Sequence, residues 1–274
     1  MTKIIAIANQ KGGVGKTTTS INIAATLSNL YYETLLIDFD PQGNSTSGFG
    51  IKKTELTSNI YNVLIDNETI ESIVKPTTVE LCDILPSGLD LVGAEIELVN
   101  ITGRETKLKE ALQKYTKVYD FIIIDCPPSL GLLTENAFIA ADSILIPIQC
   151  EYYALEGLGQ LLKFMDMMKQ AFNPALTVEG VLLTMYDARL NLSSQVREQI
   201  IKYFGDKVYD TVIPRNIRLA EAPGFGQPIT LYDKRSPGAE AYLKLAKEII
   251  ARNKTNKRIT IPAVPAETNK GGNL

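Results

Sequence analysis

Apolar residues along this chain fall into short unbroken runs, separated by stretches in which they recur at helical spacing. The first run, 3–8, leads through a Gly-rich turn into 16–30, where Ile21, Ala24, Ala25 and Leu27 mark one face of a helix. A second run over 34–38 ends at Asp38-Phe39-Asp40-Pro41-Gln42-Gly43-Asn44, where Pro and Gly stop it and leave two carboxylates at its end. Further runs at 119–125, 143–147, 178–185 and 210–213 alternate with helical patterns at 155–172, 194–204 and 237–252. Strands apolar on both faces, alternating with helices, predict an α/β fold. The expected architecture is a mostly parallel twisted sheet with helices on both faces. From 51 to 114 the signal weakens: 59–64, 70–74, 95–98 and 106–114 read as short helices and 79–85 as a strand. That stretch suggests only links between sheet elements. A single domain is expected over 1–252. Residues 253–274, mixing Lys, Asn, Thr, Pro and Gly, are expected to be a disordered tail.

Composition narrows the chemistry. The 274 residues are 45% hydrophobic and 22% charged, with no histidine. Without histidine a Ser-His triad and a His-ligated zinc site are both excluded, so a general base must be a carboxylate or a water held by one. Cys82, Cys126 and Cys150 are odd in number and far apart, which suits core residues in a reducing cytoplasm. Met165, Met167 and Met168 read as core filler on their helix. No eighteen-residue apolar run and no secretory leader is evident, so neither a membrane nor export is expected. The net charge of −3 is unevenly spread: residues 151–274 hold 17 Lys/Arg against 13 Asp/Glu, a net of +4. A local basic surface in the second half is therefore allowed.

The stretch Gln10-Lys11-Gly12-Gly13-Val14-Gly15-Lys16-Thr17-Thr18 carries the strongest chemical signal. A strand, a Gly-rich turn and a helix start make a phosphate-binding loop, whose backbone N–H groups and helix N-terminus attract anions. Lys16 is placed for β- and γ-phosphates and Thr17 for Mg²⁺. Gln10 stands where the usual motif has its first Gly, and Lys11 adds a second lysine; together they make the deviant Walker A signature. Asp38 and Asp40 suit water positioning and outer contacts to Mg²⁺. The run ending in Asp125 reads as a Walker B strand. The Cys126-Pro127-Pro128-Ser129-Leu130-Gly131 loop behind it suits γ-phosphate sensing.

These motifs, with Pro214-Arg215-Asn216-Ile217-Arg218-Leu219-Ala220-Glu221-Ala222-Pro223 and Thr184-Met185-Tyr186-Asp187-Ala188-Arg189-Leu190-Asn191, resemble those of the ParA/Soj partitioning ATPases up to about residue 250. The resemblance implies a single-domain P-loop NTPase using ATP and Mg²⁺. It implies that Gly12, Gly13, Val14, Gly15, Lys16, Thr17 and Thr18 hold ATP and magnesium. Lys11 would reach the partner's phosphates in a sandwich homodimer, with Gly12 kept small for that approach. Asp40 would position the attacking water, and Asp125 would support the metal together with Thr17 and Asp40. Pro214 and Asn216 would contact adenine. Arg189 and Arg218 would bind double-stranded DNA without base preference, the alternative being that both are solvated or pair with Asp187 and Glu221. A ParB-like centromere-binding partner and a nucleoid-associated cytoplasmic location follow from the same resemblance. The competing function is an ATP-gated DNA-bound scaffold, or a regulator of replication or transcription, with little turnover.

Overall fold

The computed structural model describes residues 2–151 and 157–254. Eight strands among them form one sheet in the order β3-β4-β2-β5-β1-β6-β7-β8. They are β1 (Lys3–Ile7), β2 (Thr34–Asp38), β3 (Lys75–Pro76), β4 (Cys82–Leu85), β5 (Phe121–Asp125), β6 (Ser143–Gln149), β7 (Thr177–Tyr186) and β8 (Val208–Pro214). All neighbours pair in parallel except β3, which runs antiparallel on β4 at the edge. The helices in chain order are α1 (Lys16–Asn29), α2 (Asn44–Gly48), α3 (Ile60–Leu64), α4 (Ile70–Ile73), α5 (Leu91–Glu97) and α6 (Lys107–Lys114). They continue with α7 (Leu132–Ala140), α8 (Leu158–Ala171), α9 (Asn191–Phe204), α10 (Ile217–Glu221), α11 (Ile229–Tyr232) and α12 (Pro237–Asn253).

The period-2 alternation of strand side chains divides the core into two layers. Ile5, Ile7, Leu36, Phe121, Ile123 and Leu145 pack on one face against α1 and α12. Ala6, Leu35, Ile37, Ile122, Ile124 and Ile146 pack on the other, against α3 and α5 to α9. Helices therefore cover both faces of a mostly parallel sheet, as the runs of apolar residues predict.

Two expectations change. Met165 and Met168 are buried in α8, but Met167 is 61% exposed, so it is not core filler. Helix α7 has no counterpart in the sequence reading, for a physical reason. Leu133, Thr134, Asn136, Ala137, Phe138, Ile139 and Ala140 are all buried. A helix enclosed nearly all round has no polar face to generate a helical period. The start of the helix expected at 155 and residues 255–274 of the expected tail lie outside the described residues. All three cysteines are buried and free.

Candidate functional site

Parallel strands deliver their carboxyl ends to one edge, and the loops after β1, β2, β5, β7 and β8 gather there. Register places Asp38 at the end of β2 directly beside Asp125 at the end of β5, with Ile7 of β1 on its other side. The phosphate loop leaves β1 and turns back on Gly13 (φ +75°) and Gly15 (φ +87°), left-handed positions that side chains rarely adopt. Asn9 anchors its base, donating to Pro147 O at 2.7 Å and accepting from Lys11 N at 3.0 Å. Thr184 on β7 clamps its far side, its hydroxyl donating to Val14 O at 2.8 Å. Helix α1 starts at Lys16 with no side-chain cap and no acid in its first turn, so its first N–H groups remain available to an anion.

Lys16 is 7% exposed and its ammonium donates to Lys11 O at 3.2 Å. Burial lowers its pKa, and the charges of Asp125 and Asp40 oppose that fall. Asp125 is fully buried and accepts from Ser20 Oγ at 2.9 Å and Ser45 Oγ at 2.8 Å. Burial pushes its carboxyl up to about 6, these hydroxyls holding it back and Asp40 adding to the rise. Asp38 is equally buried and is raised to about 7 by burial and by the Asp125 charge. Thr46 limits that rise by donating to Asp38 Oδ2 from its amide at 2.7 Å and its hydroxyl at 2.6 Å. Asp40 lies at the cavity wall, where its Oδ1 accepts from Gln42 N at 2.9 Å.

Two adjoining cavities open here. One of about 270 Å³ is lined by Gly12, Gly13, Gly15, Lys16, Thr17, Thr18, Asp40 and Pro128, among others. The second, about 360 Å³, is mainly apolar and is walled by Ile213, Pro214, Asn216, Ile217 and Leu219. Gly15, Thr18 and Met185 border both, so a polar chamber continues into an apolar one. Met185 joins them in a left-handed backbone (φ +50°), an uncommon conformation for a non-glycine residue. Asn216 Oδ1 is buried in the apolar chamber without a hydrogen-bond partner, which leaves an acceptor for a ligand N–H.

Most of the residues singled out from sequence thus converge on one site, but three stand apart. Lys11 does not line the polar chamber; its ammonium reaches Glu151 Oε2 at 2.8 Å. Arg189 is paired with Asp187 at 2.6 Å, and Arg218 with Glu221 at 3.0 Å and Asp233 at 3.6 Å. Both arginines stay largely open to solvent. The site also holds Ser20, Ser45, Thr46, Thr184 and Met185, to which sequence reasoning assigned no role. Hydroxyls within helices and strands give no pattern by themselves; only the register beside Asp125 and Asp38 reveals them.

The profile described as AAA domain matches residues 2–178. The sporulation initiation inhibitor protein Soj of Bacillus subtilis (strain 168) is 59% identical over 251 residues, 92% of this chain and 99% of that protein. The chromosome partitioning protein ParA of Myxococcus xanthus (strain DK1622) is 53% identical, over 92% of this chain and 89% of its own length. Among solved structures, a cobyrinic acid a,c-diamide synthase from Mycobacterium smegmatis, with bound ATP analog and magnesium, superposes with a TM-score of 0.83. It is 36% identical and covers 94% of this chain and 98% of its own. With its phosphate loop, paired strand-end acids and these relatives, the chain belongs to the ParA/Soj family of chromosome-partitioning P-loop ATPases.

Proposed function

We propose that this chain binds Mg-ATP, closes as a sandwich dimer on double-stranded DNA without base preference, and leaves it on hydrolysis stimulated by a ParB-like centromere-binding protein. The observation that carries the ATP assignment is the polar chamber running into the apolar one across Gly15, Thr18 and Met185. A triphosphate suits the first, where Lys16 and the bare start of α1 offer positive charge. Adenine suits the second, against Pro214 and the unpartnered Asn216 carbonyl. Thr17 would hold magnesium directly, with Asp125 and Asp40 contacting it through water; the ion would neutralise phosphate charge.

Asp40 is the carboxylate that faces the chamber while remaining tied by its own turn, which fits it to orient an attacking water. Asp38 is enclosed and fully committed to Thr46 and Asp40 N, so it supports rather than acts. Lys11, directed out of its own chamber, is free to serve a partner's phosphates once it leaves Glu151. Arg189 and Arg218 supply phosphate contacts to DNA, and DNA association in turn places the protein on the nucleoid in the cytoplasm.

A second reading, an ATP-gated regulator with little turnover, is favoured by the name of the Bacillus subtilis relative, a sporulation initiation inhibitor. Steady-state ATP turnover separates the two. Wild type should hydrolyse ATP slowly and faster with DNA and partner present. Asp40→Ala should bind Mg-ATP normally and turn over about a hundredfold more slowly, persisting as a DNA-bound dimer. Undiminished turnover in that variant would remove Asp40 from the chemistry.

A further inference from the structure

The loop between β4 and α5 belongs to the stretch in which sequence reading found only connections, yet it enters the reaction centre. Ser87 is completely buried in it. Its hydroxyl donates to the carbonyl of Asp40 at 2.8 Å, and that carbonyl also accepts from Gly43 N at 2.8 Å. Its amide donates to Thr46 Oγ1 at 2.9 Å. That hydroxyl hydrogen goes to Asp38 Oδ2, which also takes the Thr46 amide. Asp38 Oδ1 lies 3.4 Å from Asp40 N. The backbone of Asp40 is thereby held from both sides: its amide faces Asp38, and its carbonyl meets Ser87, itself secured through Thr46.

We infer that Ser87 and Thr46 are positioning residues that fix where the Asp40 carboxylate points. This rests on the assignment of water orientation to Asp40. The physical argument is one of degrees of freedom. Asp40 follows the end of β2, beyond the ladder that holds Asp38, and would turn with its loop unless the carbonyl were tied. A carboxylate aimed at water loses efficiency steeply with small displacement. Neither Ser87 nor Thr46 lines the polar chamber, so neither contributes to holding nucleotide. Ser87 also crosses to the turn from a different strand, which makes β4 the brace for a loop belonging to β2.

The test is a cycle of Ser87→Ala, Asp40→Ala and the double variant, read as kcat and KM for ATP, with nucleotide affinity by calorimetry. Ser87→Ala should lower kcat about tenfold, the order expected for one lost hydrogen bond. Its KM and ATP affinity should stay within about twofold. In the Asp40→Ala background the same change should do nothing further, because the carboxylate it aims is gone. Thr46→Val should reproduce the effect of Ser87→Ala, and Thr46→Ser, which keeps the hydroxyl, should restore most of the loss. Those two variants decide the matter if Ser87→Ala folds poorly. Wild-type kcat in Ser87→Ala, or an equal loss with and without Asp40, overturns the inference while leaving the role of Asp40 intact. Wild-type kcat in Asp40→Ala overturns both.

Discussion

The two lysines of the phosphate loop lie five positions apart in sequence and in unlike surroundings. Lys16 is enclosed near Asp125 and Asp40 with its ammonium on Lys11 O, a setting that suits a ligand in its own chamber. Removing it should cost about 3 kcal/mol of nucleotide binding, roughly a hundredfold in affinity. Lys11 sits in a half-exposed pair with Glu151, an arrangement that contributes less than about 1 kcal/mol to stability. Lys11→Ala should keep nucleotide affinity within about threefold but lose hydrolysis and ATP-dependent dimerisation. Calorimetry and light scattering on both variants check this, and equal loss of affinity would sink the distinction. The acids beside them predict a pH effect. Asp38 and Asp125 are raised to about 7 and about 6, above the range of an unfolded chain. The folded protein therefore binds protons more tightly than the unfolded one. Their contribution is fully present below about pH 4 and is lost as pH rises through 6 and 7. Ligand-free protein should therefore lose stability between pH 5 and 8, read as a falling Tm across that window. Asp38→Asn should flatten the profile in that window; an unchanged slope would assign the pH dependence elsewhere.

At the scale of elements, the turns that carry the site are braced by close backbone approaches. Gly50, just after α2, and Gly226, after the 3-10 turn Ala222–Phe225, meet back to back. A Cβ on Gly226 would lie 2.5 Å from Gly50 Cα, and its φ is +64°. Gly226→Ala should thus destabilise the fold by about 2–3 kcal/mol, from backbone conformation and overpacking together. Gly224→Ala, two residues away with open space around it, should be nearly neutral. Thermal unfolding of both variants measures the difference, and matching Tm values would refute the packing argument. Strands β1, β2 and β5 were legible because a strand buried on both faces must be an unbroken apolar run. The phosphate loop was legible because its glycines answer to a backbone demand. Helix α7 was not, since enclosure erases amphipathic period. The brace from Ser87 to Asp40 was not, because a buried serine carries no sequence signal until β4 is seen beside β2. The two acids of Asp38-Phe39-Asp40 were visible as a pair, yet only burial separates them into an enclosed support and a chamber wall.

Over the whole molecule, the proposed DNA surface would share one edge of the sheet with ATP. Arg189 follows β7 and Arg218 lies on α10 after β8, so both extend the site edge past the apolar chamber. In the free chain each has a carboxylate partner, Asp187 for one and Glu221 with Asp233 for the other. Exposed pairs of this kind exchange readily for a better anion, since water and salt already compete for them. A polyphosphate backbone is such an anion, and each contact releases a counterion, adding roughly 0.9 to the slope of log affinity against log salt. A dimer presenting both arginines from each protomer would make about four such contacts. Arg189→Ala/Arg218→Ala should then lower the slope by roughly 3.6. The effect should be indifferent to base sequence, because phosphate contacts position without specifying. It should also require ATP, since one protomer offers half the contacts, while nucleotide affinity changes little. DNA binding measured over a salt series, with ATP and with ADP, tests all of this for both proteins. A slope unaltered in the double variant would shift the DNA surface to Lys234, Arg235 and α12, and would leave the arginines as local ties between loops.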